Sequence, residues 1–331
     1  MIATYIIKRT GMMLIVVAMA LTLNFLIPRA MPGDPVQTMI SQISAQGGSS
    51  SNMQAMVESY QQKFGLDLPL WQQYLNYLYG LMRLDLGYSV THYPSTVVEV
   101  IGTGALWTIG LLGVSTVISF AIGTLLGGLM AWPGTGRWVQ VIAVPFLMLS
   151  AIPYFVLGLV LLFAFAIVWK FFPASGGFPY NLNLGLNWAS FRGVLWHATL
   201  PALSIILTTI GAWAISMRGM VVSVLGEDYI TLAQAKGLPP ARIFLAYGLR
   251  NAMLPQFTHL GLALGHVVSG AILVEVIFAY PGLGYDLYQA IQTNDYFVIQ
   301  GIVLLLSVSI ALTMFILDLL YPLIDPRIAL R

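Results

Sequence analysis

The chain has 331 residues, 58% of them hydrophobic and only 8% charged, against about 25% charged in an ordinary soluble domain. That composition rules out a soluble globule as the default, and a net charge of +2 offers no basic field for nucleic acid. The absence of cysteine excludes disulfides, thiolate metal sites and a cysteine nucleophile, and the four histidines form no HxxxH-type pair.

Met1–Thr10 carries Lys8 and Arg9, and Gly11–Ile27 is then apolar for 17 residues. The run is long for the core of a cleaved leader, and no clear small-x-small site follows it. It reads as an uncleaved first span. Ala30–Gly102 is the one long hydrophilic region. Within it, Gln46–Asn52 is a Gly/Ser-rich link. Met53–Phe64 and Leu70–Leu84 show helical spacing of apolar residues. The plain reading is a small helical cap; the sharper one is a contact surface for substrate or a partner.

Crossing the hydrocarbon core takes about 20 apolar residues. Leu106–Trp132, Val139–Trp169, Leu200–Leu225, Leu254–Tyr280 and Val298–Leu320 all qualify, for six spans in total. With the N-terminus inside, nine of the 14 Lys and Arg residues fall on the cytoplasmic side and five outside. By the positive-inside rule both termini are then cytoplasmic. The organisation is 1–29 as tip and first span, 30–102 as an extracytoplasmic helical region, and 103–331 as a five-span core with a cytoplasmic loop at 226–252.

That loop is the most polar part of the C-terminal half. Asp228 is placed to cap a helix that runs to Lys236, and Gly237 supplies a left-handed stop. Pro239-Pro240 opens a second helix, to about Asn251. Ala233 and Ala235 are small and let another surface approach closely. The residues alone leave two readings open: a helix-break-helix that meets a cytoplasmic partner, or an interfacial hairpin lying on lipid headgroups.

Several other residues are candidates. Glu275 lies deep in the fifth predicted span, and a carboxylate there is a functional hypothesis by default, with an interhelical hydrogen bond as the alternative. His259 and His266 are seven apart and share a helix face, as path residues or as packing residues. Asp318 is expected to pair with Arg218 or Arg327. Gly123-xxx-Gly127 and Gly261-xxx-Gly265 carry the small-xxx-small spacing of close helix packing. No P-loop, G-x-S-x-G elbow or HExxH is present, so the chain has no usual route to ATP hydrolysis of its own.

Asp228-Tyr229-Ile230 followed by Ala233-Gln234-Ala235-Lys236-Gly237-Leu238 resembles the cytoplasmic "EAA" loop of binding-protein-dependent ABC importer permeases, in the form of the oligopeptide/dipeptide family. The resemblance extends over nearly the whole chain. It includes Pro32-Gly33-Asp34-Pro35, Phe64-Gly65-Leu66-Asp67-Leu68-Pro69, Leu84-Asp85-Leu86-Gly87-Tyr88-Ser89, Ser150-Ala151-Ile152-Pro153-Tyr154-Phe155, His197–Leu203 and Tyr280-Pro281-Gly282-Leu283-Gly284. Thr231-Leu232-Ala233 stands where the general motif has Glu-Ala-Ala, and the distance from Gly237 to Leu254-Pro255 is longer than in the general form.

The resemblance implies an all-α polytopic membrane protein of the type I ABC importer kind, with a helical insertion between its first and second spans. It implies no cofactor. The partners it implies are a second, similar permease, two cytoplasmic ATPase subunits and an extracytoplasmic substrate-binding protein. By position, Asp228, Tyr229, Ala233, Ala235, Lys236, Gly237 and Leu238 would form the helix that docks an ATPase subunit. Short peptides are the expected cargo, with oligosaccharides as the main alternative and nickel chelates or other small solutes behind them. A membrane enzyme would need acid, base or metal-binding residues clustered at one depth, and a channel would not need the Gly237 loop.

Overall fold

A backbone inside lipid must satisfy its own hydrogen bonds, and a helix does this within one segment. The computed structural model, which describes residues 2–45, 53–132, 134–179, 185, 187–265, 267 and 271–324, is built from helices. Among the described residues the only β pairing is an isolated antiparallel bridge between Tyr88 and Thr96. The chain divides into two units, residues 1–107 with 282–331, and residues 108–281.

In the first unit, α1 (Ile2–Ala30) packs along α14 (Tyr296–Ile324). Asn24 Nδ2 donates to the carbonyl of Gln300 at 2.7 Å and fixes their register. Between them in sequence lie α2 (Pro35–Ala45), α3 (Met53–Phe64) and α4 (Leu70–Met82). The bounds of α3 are those that periodicity predicts; α4 ends two residues earlier than expected.

The sequence reading does not contain α2, although Asp34-Pro35 announces it. Proline suits the first helical position, and Oδ1 of Asp34 accepts from the backbone N–H of Val36 at 2.8 Å. The other carboxylate oxygen accepts from Gln61 Nε2 at 2.9 Å and ties α3 to α2. The segment 87–96 is held by Asp295, which is wholly buried just before α14. Asp295 Oδ2 accepts from Ser89 Oγ at 2.6 Å and Thr91 N at 3.0 Å. Its Oδ1 accepts from Val298 N at 3.2 Å. A short helix, α13 (Leu283–Gln292), precedes this corner.

α5 (Val97–Ala131) starts nine residues before the predicted span. The reason is a capping box. Thr96 N donates to Glu99 Oε2, and Glu99 N donates to Thr96 Oγ1. Most of α5 belongs to the second unit, with α6 (Trp138–Leu149), α7 (Tyr154–Leu161, continuing as a π-helical stretch Leu162–Val168) and α8 (Trp188–Leu225). α8 also starts early, because Asn187 Oδ1 accepts from Ser190 N at 2.8 Å. Gly123 and Gly127 sit against residues 210–214 of α8, so closely that a Cβ at Gly127 would strike the Ala214 carbonyl.

The predicted third span is not one rod. α6 and the helix from Tyr154 meet at 98°. Pro153 has no N–H to continue the helix and disfavours helical backbone in the residue before it; at φ −57° and ψ 134° it serves as the N-cap of a new one. The predicted fifth span is also divided, into α11 (Arg250–Gly265) and α12 (Ile272–Ile277). Neither reaches about 20 residues. Four helices, or five crossings with the bent pair, are long and apolar enough to cross a membrane among the described residues.

Candidate functional site

After α8 closes at Leu225, the chain makes a compact fold of its own. α9 is Asp228–Ala235. Its N-cap is Glu227, not the predicted Asp228; Asp228 occupies the first turn, and no side chain caps the helix. The two acids still suit the positive end of the helix dipole. At the other end the backbone makes a Schellman turn. Gly237 N donates to Gln234 O at 2.9 Å and Leu238 N to Ala233 O at 3.3 Å. Gly237 sits at φ +69°, the left-handed conformation that turn requires. The sequence-predicted stop is therefore present.

Pro239 then acts as N-cap and Pro240 as first helical residue of α10 (Pro240–Arg242). A π-helical stretch, Ile243–Leu249, carries the helix on into α11. The predicted second helix thus does not end near Asn251. It runs without a break from the loop into the membrane-directed helix, because the sequence offers no stop there and Pro255 is accommodated inside α11.

One face of this hairpin is consumed in packing. Ile230, Ala233 and Ile243 are buried together, flanked by Tyr229, Leu238, Tyr247, Leu225 and Trp132. Phe244 packs with Met217, Val221 and Ala252, and its ring lies 4.6 Å from that of Trp132. Asn251 Nδ2 donates to Tyr229 Oη at 3.1 Å and to Tyr247 O at 3.0 Å. Tyr229, Ala233 and Leu238 therefore point inward. The small size of Ala233 serves the seat of α9 on Ile243, not the approach of another surface as expected from sequence.

The opposite face is open. Asp228, Thr231, Leu232, Gln234, Ala235, Lys236 and Gly237 are all exposed. Leu232 stands 56% exposed in the middle of this polar surface. Sequence reasoning did not single it out. The signal was its position four residues after Asp228 and three before Ala235, which puts the three on one face. The arrangement holds no acid–base or metal chemistry. It is a packed knob at the start of a helix that continues into α11.

The remaining candidates are dispersed. Glu275 lies in α12, wholly shielded, and its Oε1 accepts from Thr108 Oγ1 at 2.9 Å. That contact is the interhelical hydrogen bond named as one alternative. His259 is exposed on α11. His266 lies outside the described residues, as do the Asp318 side chain and Arg327, so the predicted Asp318 pair has no structural counterpart to report. Arg218 is exposed. Gln256, absent from the candidates, is fully buried on α11. Its Nε2 donates to Trp213 O at 3.2 Å and Thr124 Oγ1 at 3.3 Å, and its Oε1 accepts from Ser216 Oγ at 3.0 Å. One amide thus joins the helix leaving the hairpin to α5 and α8.

Residues 123–330 match the family described as binding-protein-dependent transport system inner membrane component. The match includes the hairpin and the helices it packs on. Over 341 aligned residues the chain is 33% identical to the dipeptide transport system permease protein DppB of Escherichia coli K12, covering 98% of each chain. It is 32% identical over 330 residues to the DppB of Bacillus subtilis 168, covering 99% of each. To the oligopeptide transport system permease protein AppB of the same organism it is 32% identical over 327 residues, covering 98% of this chain and 99% of the relative. A multi-pass helical chain that matches these permeases from end to end belongs to the family of binding-protein-dependent transport system inner membrane components.

Proposed function

We propose that this chain is a membrane-spanning permease subunit of an ATP-driven importer of short peptides. The observation that carries the cargo is the end-to-end similarity to permeases named for dipeptide and oligopeptide transport. The chain itself is non-catalytic and pairs with a second, similar permease. Two cytoplasmic ATPase subunits supply the energy and an extracytoplasmic binding protein delivers the peptide. Both termini are cytoplasmic and the chain crosses six times, with α11 and α12 together making the fifth crossing.

The hairpin at 226–252 is the contact for an ATPase subunit. Asp228, Leu232, Ala235, Lys236 and Gly237 form the touching face, with Leu232 as its apolar centre. Tyr229, Ala233 and Leu238 hold the knob's shape from inside. The uninterrupted helix from Pro240 through the π-helical stretch and α11 carries the motion of closing ATPase subunits to the spans, as alternating access requires.

The test is co-purification and uptake with Leu232→Asp and Lys236→Glu. Each should reduce recovery of the ATPase subunits with the permease and reduce uptake of a labelled dipeptide, while the permease still inserts. Unchanged recovery and uptake in both variants would overturn the docking surface. Loss of dipeptide uptake on deleting the gene, with oligosaccharide uptake retained, is the outcome expected for the cargo; the opposite pattern would overturn it.

A further inference from the structure

Helix α4 is polar in sequence terms only on part of its circumference. At about 100° per residue its side chains fall into three sectors. One sector faces α1. Tyr74 Oη lies 2.9 Å from Thr22 Oγ1, Tyr77 Oη accepts from Asn24 Nδ2 at 3.3 Å, and Gln73 Oε1 accepts from Arg29 Nε at 3.0 Å. Phe25 packs its ring edge-on to Tyr74 at 5.1 Å. The second sector is polar, with Gln72, Asn76 and Arg83, and the Arg83 guanidinium lies 4.2 Å over the ring of Tyr79. The third is an uncharged apolar stripe of Trp71, Leu75, Leu78 and Met82. Trp71 is 61% exposed and Met82 77%.

The place where α4 is held decides what covers that stripe. Thr22, Asn24 and Phe25 are inside the span Arg9–Ala30. Thr22 is eight residues from its end, about 12 Å along the axis at 1.5 Å per residue. α4 therefore lies beside a stretch of α1 that is long and apolar enough to lie within a bilayer. On that stretch Leu23, Leu26 and Ile27 are exposed, as residues facing acyl chains are. The groove between the two helices, lined by Thr22, Phe25, Leu26, Leu70, Trp71 and Tyr74, joins the exposed surface of α1 to the stripe on α4.

We propose that α4 is an interfacial helix, with Trp71, Leu75, Leu78 and Met82 immersed in the acyl-chain region of the leaflet at the C-terminal end of α1. The occupant of the stripe is lipid. The stripe bears no charge and continues the lipid-facing surface of a span, while the flanking Arg83 and Tyr79 have the long or amphipathic side chains that reach from an apolar layer to headgroups. In that position α4 braces the outer end of α1 from the lipid side, and the hydrophilic insertion is anchored in the membrane instead of standing clear of it.

The chain contains no cysteine, so single cysteines can be introduced without background. Trp71→Cys, Leu75→Cys and Met82→Cys report on the stripe, Gln72→Cys and Asn76→Cys on the polar sector. Each full chain is spin-labelled and placed in nanodiscs of phosphatidylethanolamine and phosphatidylglycerol. Collision with oxygen is compared with collision with a water-soluble nickel chelate. The stripe positions should favour oxygen severalfold and the polar positions the chelate. A chelate preference at positions 71 and 82 would place the stripe in water and overturn the proposal. So would oxygen access in the isolated chain that vanishes once the second permease is added, since the face would then be a subunit interface. If a label disturbs α4, Leu75 and Asn76 still give the contrast, being adjacent in sequence and on different sectors.

Discussion

The hydroxyl of Thr108 donates to Oε1 of Glu275 across 2.9 Å, and both side chains are completely shielded. The bond secures α12, a six-residue helix, against the first half of α5. Removing the donor takes one hydrogen bond away from a buried carboxyl group, and losing a buried bond of this kind costs about 1–3 kcal/mol. Thr108→Val should therefore lower the thermal unfolding midpoint of the purified chain in detergent, while Thr108→Ser, which keeps the hydroxyl, recovers most of it.

Two small-xxx-small spacings were legible and only one has a demonstrated use. A Cβ at Gly123 would lie 2.5 Å from Trp213 Cβ and 2.6 Å from the Ile210 carbonyl, and one at Gly127 would meet the Ala214 backbone. Gly261 has nothing within 4 Å of such an atom. Gly127→Ala should destabilise the chain by about 1–3 kcal/mol through overpacking. Gly261→Ala should leave it unchanged or raise it by about 1 kcal/mol, the helix propensity gained. Paired thermal unfolding curves decide between them.

A Cβ at Gly237 would meet nothing else in this chain, so the cost to its own fold of replacing it is a backbone cost alone. Forcing a β-carbon into left-handed backbone takes about 1–2 kcal/mol. Gly237→Val should loosen the Schellman turn and reduce stimulation of the ATPase subunits by the permease. Gly237→Asn, better suited to that conformation, should restore a large part. Equal losses in both variants would mean that the turn geometry is not what the ATPase reads.

Asp295 holds the 87–96 segment by accepting from both the Ser89 hydroxyl and the Thr91 amide. Asp295→Ala strands these donors at about 1–3 kcal/mol apiece. Limited proteolysis of the intact chain should then cut within 87–96 much faster than in the unchanged protein. Asp295→Asn, which keeps one acceptor oxygen, should fall between.

Sequence reasoning worked best where the surroundings are polar. The α3 helix has its predicted bounds because one face meets protein and the other does not, which writes a 3.6-residue period into the chain. Gly237 and Pro239-Pro240 could be read locally, since their backbone preferences do not depend on neighbours. Inside lipid the period disappears, as every face is apolar. The 98° bend before Tyr154 and the split between α11 and α12 were therefore hidden in runs that pass a length test. The early starts of α5 and α8 did carry signals, Thr96 with Glu99 and Asn187, but hydropathy places a boundary where apolarity begins and not where the helix does. The inward turn of Ala233 was illegible for another reason: alanine fits a core and a surface equally well.

That inward turn bears on how such proteins can change over time. Ile230 and Ala233 on one limb share a buried contact with Ile243 on the other, on the far side of the Gly237 turn. The stretch that looks like a motif is thus only half of a folding unit. A larger residue at 233 is acceptable only with a smaller one at 243, so substitutions at these positions should be inherited together. Grafting residues 228–238 alone from a relative would join two halves of different cores, whereas a cassette running through residue 249 would bring the contact of residues 230, 233 and 243 with it.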